Sequence, residues 1–236
     1  ADGVRLKDVN KDGLPDIATG WEEGGVIRTY LNPGPKKVKQ PWPHTEVGKV
    51  KSPEDAVFAD LDGDGDADVV SCCEGRNRRV FAHWAPTAAD KFLEESSWET
   101  ASFAAVEGKS QWMFALPMPV DAKGIDLVLG SKGGGATIGW LRSPKNPRDV
   151  KAWQYHPWYN AGWIMSLIKH DMDGDGVVTD EELEHAKEIK ETERDLRKSL
   201  AQLRMARFTL IGMGVFTAAM FTPWVSVERI HALSEI

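Results

Sequence analysis

The sequence predicts a mainly β protein, a partial β-propeller of four-stranded blades, followed by a long α-helix that carries a transmembrane segment. Three observations lead there. A short β-branched run preceded by an aspartate returns three times, at Asp16, Asp68 and Asp126. The first two of these runs follow aspartate-rich loops with the spacing of a hard-cation site. Beyond residue 170 the composition changes, first to charged and then to apolar, and nine of the ten tryptophans lie before that point.

The repeat has a period of roughly fifty to sixty residues, long enough for one four-stranded propeller blade. The runs Ile17-Ala-Thr-Gly, Val69-Val-Ser-Cys and Leu127-Val-Leu-Gly fall in register. Each is followed by a turn and a further strand, in GGVIRTYLNPG, NRRVFAHWAP and ATIGWLRSP, and then by a last one in PWPHTEVG, SSWETASFAAV and VKAWQYHPWY. The second unit is the clearest. DAVFADL, ADVVSCC, RRVFAHW and WETASFAAV are short, alternating and separated by Gly, Asp, Asn or Pro. Residues 1–169 are therefore read as three blades and the first strand of a fourth, GWIMSLIKH. Three blades do not close a ring, so either other copies complete the structure or further chain does. Ser131-Lys-Gly-Gly-Gly-Ala suggests a phosphate loop only superficially, because no Lys-Ser pair and helix follow, and it reads as a hairpin.

Composition excludes some functions. A net charge of −7 leaves no basic footprint for nucleic acid. The only cysteines, Cys72 and Cys73, are adjacent in a strand and read as small core residues. The chain begins at Ala1 and shows no charged-then-apolar leader.

The candidate metal ligands lie in three boxes. DVNKDGLPD offers Asp8, Asn10, Asp12 and Asp16, and DLDGDGDAD offers Asp60, Asp62, Asp64 and Asp68. Oxygens at alternate positions, with a glycine for the tight turn, converge on one cation, and so many acids in nine residues repel one another unless a cation neutralises them. Ca2+ is the natural ion. The third unit has MPVDAKGID instead and is expected to hold no metal there. On these boxes and strands, about residues 1–176 resemble FG-GAP or VCBS-type propeller repeats. The resemblance implies that Leu14 and Asp66 add backbone carbonyls to the two ligand sets.

In the third box Asp171, Asp173, Asp175, Gly176, Val177, Thr179 and Glu182 occupy positions 1, 3, 5, 6, 7, 9 and 12 of an EF-hand loop. Residues 170–183 thus resemble the EF-hand family, which implies that Val177 contributes its carbonyl and Glu182 a bidentate carboxylate. The competing reading is a cap on the helix that follows. After Glu182 that helix, charged over 184–207, carries Ile189, Leu196, Leu203 and Leu210 in a seven-residue stripe, which either seams two copies or packs on the propeller. Residues 208–227 contain no charge and are long enough to cross a bilayer, ahead of a short tail, 228–236. This part more loosely resembles small phage or bacterial membrane proteins with an EF-hand before their span. Arg194, Arg197, Lys198, Arg204 and Arg207 before the span, against Arg229 after it, put the amino-terminal side in the cytoplasm, whereas propellers of this kind are usually extracytoplasmic.

Together these features predict a calcium-binding, non-catalytic interaction or scaffold protein anchored to a membrane, with an unknown protein or carbohydrate as ligand. Two alternatives stand. One is a sugar-active propeller enzyme of lyase or dehydratase type, using His44, His83, His156 or His170. The other is an EF-hand membrane protein joined to an unrelated propeller fragment at Asp171–Gly176.

Overall fold

A computed structural model describes residues 2–118 and 124–168. The EF-hand loop, the charged helix, the apolar span and His170 lie outside the described residues. Among the described residues twelve strands form three antiparallel sheets of four, each in simple up-and-down order. The first holds β1 (Asp2–Lys7), β2 (Asp16–Trp21), β3 (Val26–Tyr30) and β4 (His44–Lys49). The second holds β5 (Pro53–Ala59), β6 (Asp68–Cys73), β7 (Val80–Trp84) and β8 (Glu99–Ser102). The third holds β9 (Gln111–Met118), β10 (Asp126–Lys132), β11 (Thr137–Arg142) and β12 (Gln154–Asn160). These are the blade-like units expected, and each begins with a strand that leads into one of the repeated aspartates.

Pairing fixes the equivalences between sheets. Lys7 faces Asp16, Ala59 faces Asp68 and Met118 faces Asp126 across the first two strands of each sheet. Counting back from these pairs, Val4 and Leu6 of the first sheet correspond to Ala56 and Phe58 of the second. Ala56 and Phe58 are covered by the first sheet, in a cluster with Ala18, Ile27 and Val47. Their counterparts meet no further sheet among the described residues, so Val4 and Leu6 are 58% and 63% exposed.

A second apolar layer joins sheets two and three through Trp84, Phe103, Trp112, Leu127, Leu129 and Trp153. The strand second in order is the most enclosed of its sheet: all six residues of β6 are buried. Residues on both faces of β6 are therefore enclosed, where the sequence reads as an alternating strand. Cys72 and Cys73 are free thiols inside it, as expected, and burial pushes the Cys73 thiol up to about 12.

Polar residues stitch the layers as well. Arg5 of β1 donates from Nε and Nη2 to Asp55 of β5, both at 3.0 Å. His83 is fully buried, with Nε2 2.8 Å from Ser71 Oγ and Nδ1 2.9 Å from Thr100 Oγ1. Burial pushes this imidazole down to about 3, so it is neutral.

The start of a fourth blade differs from expectation. Residues 162–168 form no ladder strand: they make one bridge, Lys132 to Trp163, and one further bond from Ile164 N–H to Ser131 O. With no next strand to pair with among the described residues, Met165 and Ile168 are 70% and 78% exposed. The Ser131–Ala136 segment joins β10 to β11 as a hairpin, as read from the sequence.

Candidate metal centre

The first two aspartate boxes are the loops joining the first two strands of their sheets. Their backbones match closely. Lys11 and Gly13 have φ of 62° and 84°, and Gly63 and Gly65, at the same loop positions, have 77° and 91°. A left-handed conformation there turns the chain so that alternate side chains point inward, and glycine reaches it without the steric cost that Lys11 bears.

Within each loop the carboxylates accept amide protons. Asp8 accepts from Asp12 N–H at 3.1 Å and Gly13 N–H at 2.8 Å, and Asp12 accepts from Leu14 N–H at 2.8 Å. Asn10 Oδ1 accepts from Asp12 N–H at 3.1 Å. In the second loop Asp60 accepts from Gly63 and Gly65 at 2.9 and 3.1 Å, Asp62 from Asp64 at 3.3 Å and Asp64 from Asp66 at 2.9 Å. These bonds hold the side chains in place while leaving carboxylate lone pairs free, since each oxygen has two. Asp60, Asp62 and Asp64 converge, with one oxygen from each lying within 4.8 Å of the others.

The last aspartate of each box has a further task. Asp16 accepts from Val9 N–H at 3.0 Å and Asn32 N–H at 2.7 Å, and Asp68 from Leu61 N–H at 3.0 Å and Ala85 N–H at 2.8 Å. Each therefore straps its own loop to the end of the third strand. Burial pushes the Asp68 carboxyl up to about 7; the amides of Ala85 and Leu61 oppose this, and the charges of Asp62 and Asp64 reinforce it. Burial likewise raises the Asp64 pKa, helped by its acidic neighbours. A bound cation would reverse both effects by favouring the charged forms.

The third sheet supplies an internal comparison. Asp126 is as buried as its counterparts and accepts from Ser143 N–H at 2.6 Å, yet its Oδ2 has no partner among the described residues. Seven residues back, where Val9 and Leu61 stand in the other loops, the sequence has Pro119, which carries no N–H. The strap is kept on one side, whereas the run of carboxylates is not.

A different acidic group, Glu22, Glu54 and Glu74, stands at the other end of the second strands. Glu22, Glu74 and Lys132 each lie six residues after a strap aspartate. Lys132 Nζ donates to Glu54 Oε1 at 3.0 Å and also pairs with Glu74, so this group already holds its own cation.

One contributor had no signal in the local sequence. Arg148, from the segment between β11 and β12, donates from Nε to Asp62 Oδ2 at 2.6 Å, and its guanidinium lies 5.0 Å from the centre of the Trp84 ring. The two residues are 86 positions apart in sequence. A lone arginine among loop residues gives no hint of such a contact.

Among the described residues the histidines do not gather around a metal group. His83 is enclosed as described, His44 stacks on Tyr30 at 5.2 Å between ring centres, and His156 lies 5.4 Å from Trp140. Among the described residues no helix is long and apolar enough to cross a membrane.

Two comparisons bear on this geometry. No curated protein is similar enough to the chain to count as a match. Residues 8–71, which run from the first aspartate loop through β5 and into β6, match the FG-GAP-like repeat family, so this stretch is similar to one repeat of that family.

Proposed function

We propose that the protein is a calcium-stabilised, non-catalytic interaction module built of propeller-type blades and held at a membrane by residues 208–227. The observation that carries the calcium part is the convergence of Asp60, Asp62 and Asp64 in a loop already turned and hydrogen-bonded for a cation. The donor set is all oxygen, which suits Ca2+ or another hard ion over zinc or copper. Asp60, Asp62, Asp64, the Asp66 carbonyl and Asp68 would hold one ion, and Asp8, Asn10, Asp12, the Leu14 carbonyl and Asp16 another. When bound, the ion would neutralise the crowded carboxylates and lock each loop to its strap.

Asp171, Asp173, Asp175, Val177, Thr179 and Glu182 are proposed as a third site on the EF-hand resemblance alone. Binding rather than turnover is supported by the histidines among the described residues: His83 is enclosed, and His44 and His156 lie against the rings of Tyr30 and Trp140. The ligand class, protein or carbohydrate, follows only from the resemblance to interaction repeats.

Thermal melts of the full chain test the first part. In excess calcium the melting temperature is expected to rise by several degrees over that in chelator, and the rise is expected to shrink in Asp60→Asn/Asp64→Asn. Equal melting temperatures in calcium and chelator would refute it. The second part is tested by flotation with lipid vesicles: the full chain is expected to float and to resist extraction by alkaline carbonate, whereas deletion of 208–236 leaves it at the bottom of the gradient. Flotation unchanged by the deletion would remove the anchor from the account.

A further inference from the structure

The two aspartate loops share a backbone but not an electrostatic setting. The second loop has Arg148 against Asp62, with Asp62 Oδ2 accepting at 2.6 Å, while Asp8 and Asp12 pair with no lysine or arginine among the described residues. Arg148 is held there by its own sheet. Trp153, buried in the layer between sheets two and three, donates from Nε1 to Pro147 O at 2.8 Å, which anchors the backbone one residue before Arg148. Backbone bonds from Asp149 N–H to Asn146 O and from Ala152 N–H to Asp149 O close the turn around it. The guanidinium is thus delivered to the loop by a rigid segment and stacked over Trp84, the last residue of β7, next to the Ala85 amide that binds Asp68.

The second sheet has the same anchor with a different residue beside it. Trp98 donates from Nε1 to Phe92 O at 2.9 Å, again across six positions, and the residue that follows is Leu93. The position that carries a cation in the third sheet is uncharged in the second.

We propose that Arg148 is a built-in counter-cation for the second calcium loop, lowering that loop's calcium affinity and tying its occupancy to the seating of the third sheet. This inference rests on the calcium reading above. The chemistry is direct: an incoming divalent ion meets a fixed positive charge on one of its own ligands, and it must either share Asp62 with the guanidinium or displace it. Conversely, an empty loop is relieved of part of its self-repulsion by an arginine that belongs to the neighbouring sheet. The first loop lacks that relief and depends on the ion alone. The two loops are thereby given different tasks, with the first filled at lower calcium than its smaller count of acids would suggest.

Calorimetric titration with calcium chloride tests this in the full chain, in a background where Asp8, Asp12, Asp171 and Glu182 are replaced by their amides so that only the second loop reports. Arg148→Gln is expected to tighten calcium binding about tenfold, while Arg148→Lys, which keeps the charge, stays within about twofold of the parent. Melts of the same proteins give the second readout. Arg148→Gln is expected to melt lower than the parent in chelator and to gain more on adding calcium. Unchanged or weaker binding in Arg148→Gln would overturn the role of Arg148 while leaving the calcium reading standing. Absence of calcium binding in this background and in every variant made in it would instead overturn the calcium reading of the second loop, and this inference with it.

Discussion

Gly48→Ala is expected to destabilise the protein by about 3 kcal/mol, a large loss for one added methyl group. A Cβ at Gly48, on β4, would lie 2.2 Å from both Cε1 and Nδ1 of His83 and 3.0 Å from Thr100 Oγ1. His83 cannot retreat, because both ring nitrogens are engaged and its surroundings are closed. Gly48 does not adopt a positive φ, so alanine brings no backbone strain of its own and the loss measures the clash between the first two sheets. Denaturant melts of a double-mutant cycle separate the causes. In a His83→Ala background the same substitution is expected to cost about 0.5 kcal/mol or less. A full loss in that background would place the cost elsewhere than at His83.

The second large effect is on pH. His83 is enclosed as the neutral imidazole, its pKa pushed by burial down to about 3 from an ordinary 6.5. Because the folded value is depressed, the unfolded chain takes up the proton first as pH falls. The contribution of His83 to stability is therefore fully present above pH 6.5 and is lost as pH falls from there toward 3. At about 1.4 kcal/mol per unit, melts in saturating calcium are expected to show a loss of about 2 kcal/mol between pH 6.5 and 5. His83→Gln is expected to flatten this dependence, and a slope that survives the substitution would move its origin to another group. Calcium matters to this measurement because Asp68 acts in the opposite direction without it. Its folded value, raised to about 7, favours the low-pH side and would offset the histidine.

Much of this architecture was readable in the chain because it repeats. Asp16, Asp68 and Asp126 mark the starts of β2, β6 and β10 in the sequence and in the fold alike, and the strands that follow each of them lie where the turn residues put them. The repeat also showed that the box is missing before Asp126, while its strap to Ser143 emerged only in the fold.

Contacts between sheets were not readable. Arg5 with Asp55, Gly48 with His83 and Arg148 with Asp62 join residues that no local period connects, and each depends on how one sheet stacks on the next. The stretch GWIMSLIKH misled for a related reason. Its alternation is that of a strand, yet a strand needs a neighbour to pair with, and among the described residues it finds one bridge at Lys132 and one backbone bond to Ser131 instead of a ladder.

The central claim is that the aspartate loops bind calcium, and isothermal titration of the full chain tests it most directly. Heat of binding is expected in the parent, with the number of sites falling by one in Asp8→Asn/Asp12→Asn and by one in Asp60→Asn/Asp64→Asn. A titration without heat in the parent, or one that neither pair of substitutions changes, would contradict the account and reduce both loops to hydrogen-bonded turns.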